Sequence, residues 1–249
     1  MKHFLKKLFT WLTGNRFLVL SRANITYEKD LLYTYNNADF LSDPLFRKAY
    51  SHVKRLDTSG ITGSGIEWRI HVLCWAAHHA SHLEGDFVDC GVNTGLFSRA
   101  VMEYVDFKSL NKRYYLLDTF TGLDPKYSSD YEMQRHHKIG YGGVDLFSQA
   151  TQTFSGFNTK IIKGPVPDTL PQVDTDKVAY LSVDMNCVIP EVAALEFFWD
   201  RMTSAGLIIL DDYAYPGAEE QKRAHDQFAK SKGVQILTLP TCQGLIIKP

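Results

Sequence analysis

Two short apolar segments in the C-terminal half of the chain end directly in aspartates. Leu207–Leu210 is followed by the pair Asp211 and Asp212, and Tyr180–Val183 is followed by Asp184. Apolar runs of this length predict strands that are buried inside a sheet. In an open α/β sheet, ligands bind at the edge formed by the carboxyl ends of the strands. The pattern therefore constrains both the fold class and the place where a site can form.

From residue 85 onwards, strand patterns alternate with helix patterns, which predicts an α/β fold with a doubly wound, mainly parallel, seven-stranded sheet. The final two strands have a short connection and are expected to form an antiparallel hairpin. The predicted strands are Phe87–Cys90, Tyr114–Asp118, Lys160–Lys163, Val178–Asp184, Gly206–Leu210, Val234–Leu239 and Gly244–Lys248. The predicted helices between them are Leu96–Val105, Val144–Phe154, Pro190–Met202 and Ala218–Lys230.

Residues 1–60 are expected to form a helical and irregular extension to a main domain at residues 61–249. A helix is predicted over Leu45–Val53, preceded by the start signal Ser42-Asp43-Pro44. The stretch from Phe4 to Leu12 places large apolar residues on one helical face and lysines on the other. It is too short to span a bilayer. We expect it to pack on the protein or on a second subunit, with membrane-surface contact by residues 1–20 as the alternative.

Composition places the chain among ordinary soluble globular proteins. It has 249 residues, 45% of them hydrophobic, and a net charge of −1, so no overall field attracts nucleic acid. The four cysteines are widely spaced and form no CxxC pair, which argues against a zinc site or a disulfide framework. Free thiols are typical of a reducing compartment, and a cytoplasmic location is expected.

A glycine-containing loop, Asp89–Gly95, joins the first predicted strand of this region to a helix. Gly91 permits a sharp turn, and Gly95 permits close approach of a ligand to the backbone. The helix start offers unpaired N–H groups to a carboxylate or phosphate. Position 93 is Asn, so the G-x-G-x-x-G pattern of dinucleotide binding is absent and a dehydrogenase is disfavoured. A tight turn without any ligand is the alternative.

Asp118 ends the next predicted strand. A carboxylate at this place can accept both hydroxyls of a ribose. It could instead cap the following helix. Its occurrence together with the glycine loop favours the ligand-binding interpretation.

The three aspartates Asp184, Asp211 and Asp212 form the third candidate group. The separation of the two strand ends leaves room for one crossover helix, so adjacent parallel strands would bring these acids together. Carboxylates this close repel one another, and a divalent cation with oxygen ligands, most often Mg²⁺, removes that cost. In the alternative interpretation, Asp212 caps a helix and Asp184 binds backbone amides.

Taken in order, these motifs resemble those of class I S-adenosylmethionine-dependent methyltransferases. The chain is similar in particular to the macrocin O-methyltransferase family of metal-dependent sugar O-methyltransferases. The resemblance covers about residues 60–249 and implies a Rossmann-like fold. It rests on Asp89-x-Gly91-x-x-x-Gly95, Asp118, Phe120–Leu123, Asp168–Pro171, Asp184, Asp211-Asp212-Tyr213 and Pro216-Gly217.

The resemblance implies binding of S-adenosylmethionine and of Mg²⁺. The metal would lie at Asp184, Asp211 and Asp212, and Asp184 would also be the general base. The implied homo-oligomer would act on a small-molecule substrate, methylating one hydroxyl of a vicinal diol on a sugar or glycosylated metabolite. The residues implied for the cofactor are Asp89, Gly91, Val92, Asn93, Gly95, Asp118, Thr119 and Gly164.

Two alternatives remain open. The family usually has a Gly-Asp-x-Tyr-like run around its first metal aspartate, whereas this chain has Val183–Cys187, which keeps open a cofactor-binding scaffold without catalysis. A catechol-type acceptor, which presents the same two oxygens to the metal as a vicinal diol, is the other alternative. Residues 124–143 are polar, aromatic and glycine-rich and form a candidate lid. In that lid, tyrosines could stack on the acceptor and two adjacent histidines offer an alternative base: Tyr127, Tyr131, Tyr141, His136 and His137.

Overall fold

The computed structural model describes residues 25–57, 65–139 and 145–249. The chain divides into two compact units, residues 1–38 and 39–249, and each is described by itself. The amphipathic stretch from Phe4 to Leu12, and with it the expected contact of residues 1–20, lies outside the described residues. None of the described helices combines the length and the apolar character that crossing a membrane requires.

The first unit contains an antiparallel hairpin of β1 (Tyr27–Lys29) and β2 (Leu32–Thr34). Asp30 and Leu31 form its turn with φ values of 51° and 61°. The Thr26 hydroxyl lies 3.0 Å from the Thr34 carbonyl, which ties the two ends of the hairpin together. The sequence did not predict this hairpin, because three-residue strands are too short to give a recognisable alternation of apolar and polar residues. The helix predicted over Leu45–Val53 lies within the helix Pro44–Leu56.

The second unit is built on a seven-stranded sheet in the order β5-β4-β3-β6-β7-β9-β8. The first five strands in this order are parallel, and β9 is antiparallel to β7 and β8. The predicted sheet, including its antiparallel hairpin, is therefore confirmed. Its strands are β3 (Asp86–Cys90), β4 (Tyr114–Asp118), β5 (Thr159–Lys163), β6 (Val178–Val183), β7 (Met202–Leu210), β8 (Leu237–Thr238) and β9 (Gly244–Ile247).

Helices cover both faces of this sheet, as a doubly wound fold requires. The described α-helices are α1 (Pro44–Leu56), α2 (Glu67–Ser81), α3 (Leu96–Tyr104), α4 (Asp130–Ile139), α5 (Leu146–Thr153), α6 (Val188–Trp199) and α7 (Glu219–Ser231). One face of the sheet packs against residues of α6 and α7, and the other against residues of α2, α3 and α5. The sequence did not predict α4, which lies in the candidate lid.

Large aromatic side chains on neighbouring strands fill the face covered by α2 and α3. The Phe87 ring stacks on the Tyr180 ring at 5.0 Å and meets the Tyr114 ring edge-on at 5.6 Å. All three side chains are fully buried. Burying aromatic side chains of this size contributes strongly to stability, so the central strands β4, β3 and β6 form a rigid base for whatever lies at their carboxyl ends.

The strand order reverses between β3 and β6, which is the position where ligands bind in such sheets. Two chain segments meet there backbone to backbone. The Asp184 N–H donates to the Cys90 carbonyl at 2.8 Å. A Cβ atom on Gly91, which has φ 97°, would lie 1.8 Å from the Asp184 carbonyl oxygen. Only glycine therefore allows the loop after β3 to approach the residue after β6 this closely.

We expect Gly91→Ala to lower the free energy of unfolding much more than Gly233→Ala. Gly233 also has a positive φ, of 70°, but has no atom within 4 Å of an added Cβ. Gly233→Ala should cost only the backbone strain, roughly 1–2 kcal/mol, whereas Gly91→Ala adds a backbone clash. Urea unfolding of both variants measures the difference. Equal losses of unfolding free energy in the two variants would show that the close approach at Gly91 does not affect stability.

Candidate functional site

A cleft opens at the switch point between β3 and β6, with about 820 Å³ of empty space including its open part. Its walls are the loop after β3, the end of β4, the segment after β6 and part of α4. Six of the residues predicted from the sequence line it: Gly91, Asn93, Asp118, Thr119, Gly164 and Asp184. The structure adds wall residues that the sequence reasoning did not assign, among them Gly122, Leu123 and Asn186.

Three further predicted residues, Asp89, Val92 and Gly95, are not among those that line the cleft. A Cβ on Gly95 would lie 2.5 Å from the ring of Phe154, so the glycine is required for packing against the end of α5. Gly95 has φ 88° and precedes α3 without a side-chain cap, so the N–H groups at the start of that helix have no capping side chain. The cofactor role of these three residues stays a prediction.

Asp118 ties the glycine loop to the end of β4. Its Oδ2 accepts the N–H groups of Val92 and Asn93 at 2.7 and 2.8 Å. Its Oδ1 accepts the N–H of Phe120 at 2.5 Å. Asp118 thus binds N–H groups of two loops and does not cap the following helix, which begins only at Asp130. A carboxylate has about four acceptor positions, so Asp118 can still bind a hydroxyl. The Thr119 hydroxyl donates to the Gly122 carbonyl at 2.5 Å and shapes the next turn.

Asp89 lies behind the glycine loop and is 2% exposed. The hydroxyl of Ser98, on α3, donates to its carboxylate. Burial raises the pKa of Asp89 to about 7, while hydrogen bonds from Ser98 and Ser182 oppose the shift. The side chain thus joins α3 to the sheet and can carry a proton near neutral pH.

A buried arginine meets the aspartate pair at the end of β7. Arg69, on α2, donates from Nη1 to Asp211 Oδ2 at 2.7 Å and to Asp212 Oδ1 at 3.4 Å. The other oxygen of Asp211 accepts Gln243 Nε2 at 2.9 Å. Sequence reasoning missed Arg69 and Gln243. The sequence did offer one signal for Arg69, its spacing of four residues from Leu73. Residues four apart lie on the same face of a helix, and both side chains are buried in α2.

The three aspartates as arranged do not fit the expected magnesium site. Both oxygens of Asp211 are already hydrogen-bonded, and the guanidinium of Arg69 supplies the local positive charge. Within residues 25–57, 65–139 and 145–249, no group of three or more histidine, cysteine, aspartate or glutamate side chains could hold a metal ion. The magnesium ion predicted at Asp184, Asp211 and Asp212 is therefore not supported.

Asp184 faces the cleft from the end of β6. Burial, and after it the negative charges of Asp211 and Asp212, raise the pKa of Asp184 well above its usual range. Burial and the charge of Asp211 likewise raise the pKa of Asp212 to about 6. A carboxylate with a raised pKa is a stronger proton acceptor once it is ionised. In its ionised form, Asp184 could take a proton from a group bound in the cleft.

We expect Asp211→Asn to destabilise the protein by about 3–5 kcal/mol, because it leaves the charge of Arg69 buried with a weaker partner. The side chains of Arg69 and Asp211 are 9% and 5% exposed. Glu220→Gln is the matched control, since it breaks the exposed Arg223–Glu220 pair and should change stability by less than about 1 kcal/mol. Urea unfolding measures both; similar small effects would contradict a stabilising role for the buried pair.

We expect Asp89→Asn to flatten the pH dependence of stability. The folded-state pKa of Asp89, about 7, lies above the ordinary value of 3.8, so the native state binds the extra proton between these values. The wild type should therefore lose stability as pH rises from 4 to 7, relative to the variant. Melting temperatures across this range measure it, with exposed Asp200→Asn as the control for one lost charge. Parallel curves for Asp89→Asn and the wild type would contradict the raised pKa.

The sequence of this chain is similar to the sequences of known O-methyltransferases. A family model described as Macrocin-O-methyltransferase (TylF) matches residues 68–238. The 8-demethyl-8-(2,3-dimethoxy-alpha-L-rhamnosyl)-tetracenomycin-C 4'-O-methyltransferase of Streptomyces olivaceus is 29% identical over 147 residues, covering 54% of this chain and 55% of that protein. The mycinamicin III 3''-O-methyltransferase of Micromonospora griseorubida is 25% identical over 151 residues, covering 55% and 58%. The chain thus spans about half the length of the curated relatives it matches.

Solved structures confirm the fold. The O-methyltransferase NovP aligns with a TM-score of 0.60 at 16% identity, over 72% of this chain and 79% of that one. The calicheamicin methyltransferase CalS11 aligns with a TM-score of 0.59 at 14% identity, over 85% and 97%. At such low identity the likeness concerns the Rossmann-like fold alone. Because the family model covers more than half of the sequence, the chain belongs to the macrocin O-methyltransferase family.

Proposed function

We propose that the protein transfers a methyl group from S-adenosylmethionine to a hydroxyl of a sugar or glycosylated metabolite. The observation that carries this proposal is the cleft itself, which places Asp118 and Asp184 on the walls of one cavity at the switch point of the sheet. The first residue suits a ribose and the second suits a reacting hydroxyl. The name of the Streptomyces olivaceus relative describes O-methylation of a rhamnosyl compound, which supports the acceptor class, and the name of the Micromonospora griseorubida relative also describes O-methylation.

Asp118, Gly91, Asn93, Thr119 and Gly164 would hold the cofactor. Asp118 would accept ribose hydroxyls while it keeps the glycine loop closed through Val92 and Asn93. The glycine loop and the start of α3 would receive the amino-acid part. When bound, the cofactor would supply an electrophilic methyl group on its sulfonium sulfur.

Asp184 would act as the general base. An aliphatic hydroxyl is a poor nucleophile at neutral pH until its proton is removed. The half-buried carboxylate of Asp184 lines the same cleft as the cofactor residues and has a raised pKa. The remaining contribution is alignment of the acceptor with the methyl group, which is worth roughly 7–11 kcal/mol in favourable cases.

We further propose that the acceptor hydroxyl belongs to a vicinal diol. A magnesium-assisted form of the reaction would require Asp211 to exchange Arg69 and Gln243 for a cation, so the proposed mechanism uses only side chains of the protein.

We also propose, from the resemblance, that the protein forms a homo-oligomer. The four cysteines all lie in the described residues as free thiols, which suits the expected cytoplasmic location.

We expect the purified protein to bind S-adenosylmethionine in calorimetry and to methylate members of a sugar-diol panel with a labelled methyl donor. Asp184→Asn should abolish transfer and leave cofactor affinity within a few fold, because the proton acceptor is lost and the ribose site is kept. Asp200→Asn, on the exposed surface, is the control. Binding without transfer to any acceptor would favour a non-catalytic cofactor-binding protein, and absence of binding would reject the proposal.

A magnesium titration addresses the metal separately. We expect no saturable heat of Mg²⁺ binding to the protein loaded with S-adenosylhomocysteine, since Arg69 and Gln243 already hold Asp211. Saturable binding that disappears in Asp212→Asn would instead favour the magnesium-assisted form.

A further inference from the structure

Charged side chains hold the segment after β6 at three places within four residues. Glu191 Oε1 accepts the Met185 N–H at 3.1 Å. Arg135 Nη2 donates to the Asn186 carbonyl at 3.4 Å. Glu132 Oε1 accepts the Val188 N–H at 2.8 Å. Glu191 and Glu132 are 2% and 6% exposed, so the segment has a defined conformation imposed by α4 and α6.

Asn186 lies at the centre of this segment and lines the cleft. Its Nδ2 donates to Asp184 Oδ1 at 3.2 Å, and its Oδ1 accepts Arg135 Nη2 at 3.3 Å. A guanidinium can only donate and an ionised carboxylate can only accept. The two partners therefore fix which end of the amide faces which neighbour, and the amide cannot turn over without losing both hydrogen bonds.

Arg135 is in turn anchored at the start of α7. Its Nη1 donates to the Gly217 carbonyl at 2.8 Å, and its Nη2 donates to Gln221 Oε1 at 2.8 Å. Gln221 is 2% exposed and also donates to Glu191 Oε1 at 3.0 Å. The guanidinium is held from two sides, so it presents a fixed donor to Asn186. A planar, multidentate donor gives this precision, whereas a lysine would not.

We infer that Asn186 is a positioning residue for the reaction proposed above: held by Arg135, it fixes the Asp184 carboxylate in the orientation that receives the acceptor proton. This inference rests on the proposed function and adds a role for the segment after β6. Asn186 orients one oxygen of Asp184 and leaves the other for the acceptor. Arg135 lies on α4 and acts on Asp184 through Asn186, so the orientation of the base depends on the position of α4.

The backbone of Asn186 provides a matched variant. Its φ of 59° is a left-handed conformation that glycine adopts without strain. Asn186→Gly removes the amide and keeps the turn. Asn186→Asp keeps the size and the contact with Arg135 but removes the donor to Asp184. Both should lower kcat about 100-fold, the scale expected for a misplaced reacting group. The calorimetric affinity for S-adenosylmethionine and the acceptor KM should change less than about threefold.

Arg135→Lys should show a smaller loss in kcat than Asn186→Gly, because lysine can reach only part of the same set of acceptors. Arg223→Lys, on the exposed side of α7, is the control and should leave kcat unchanged. A merely structural role of Asn186 would lower the melting temperature without changing kcat of the folded protein. Unchanged kcat in folded Asn186→Gly and Asn186→Asp would overturn the inference.

A second measurement separates this inference from the proposed function. In protein labelled with ¹⁵N-asparagine, the side-chain amide signal of Asn186 is identified by its loss in Asn186→Gly. We expect this signal to shift in Asp184→Asn and to remain in place in Asp200→Asn, whether or not any acceptor is methylated. An unchanged signal in Asp184→Asn would overturn the inference. Absence of methyl transfer together with a shifted signal would reject the proposed function alone.

Discussion

The buried ion pair between Arg69 and Asp211 joins α2 to the end of β7, and the rest of the site depends on this contact. A buried charge without a partner is very costly, so α2 and the end of β7 are held together by electrostatics in addition to packing. Gln243 completes the arrangement by binding Asp211 from the turn before β9. Burial is the main cause that raises the pKa values of Asp184 and Asp212, and the charge of Asp211 adds to it, while Arg69 opposes both shifts. The two members of the buried pair therefore act on the basicity of Asp184 in opposite directions.

The sequence predicts the parts of the structure that are encoded locally. Apolar runs and their spacing are enough for the parallel strands, and the terminal aspartates place Asp118 and Asp184 at the correct edge. The hairpin of β1 and β2 and the helix α4 are not predicted, because they are short and polar. The same applies to the partners of Asp211. Arg69 lies 142 residues away and Gln243 lies 32 residues away, and no local pattern joins them.

Several side chains at this site serve structure and chemistry together. Asp118 closes the glycine loop through backbone N–H groups and also lines the cleft, so its carboxylate is already oriented before a ligand arrives. Asn186 has the same double character, since it belongs to the hydrogen-bond network of α4 and α7 and lines the cleft beside Asp184. Preorganisation of this kind lowers the cost of ordering these groups when ligands bind.

The close approach of Gly91 to the carbonyl of Asp184 has a consequence for the order of events in the cleft. The two segments touch through their backbones, without a flexible side chain between them. A shift of the glycine loop towards β6 must therefore push the residue after that strand, and a shift away must release it. In the proposed reaction, in which the glycine loop would hold the cofactor and Asp184 would receive the acceptor proton, this backbone contact would link the binding of one substrate to the position of the group that acts on the other.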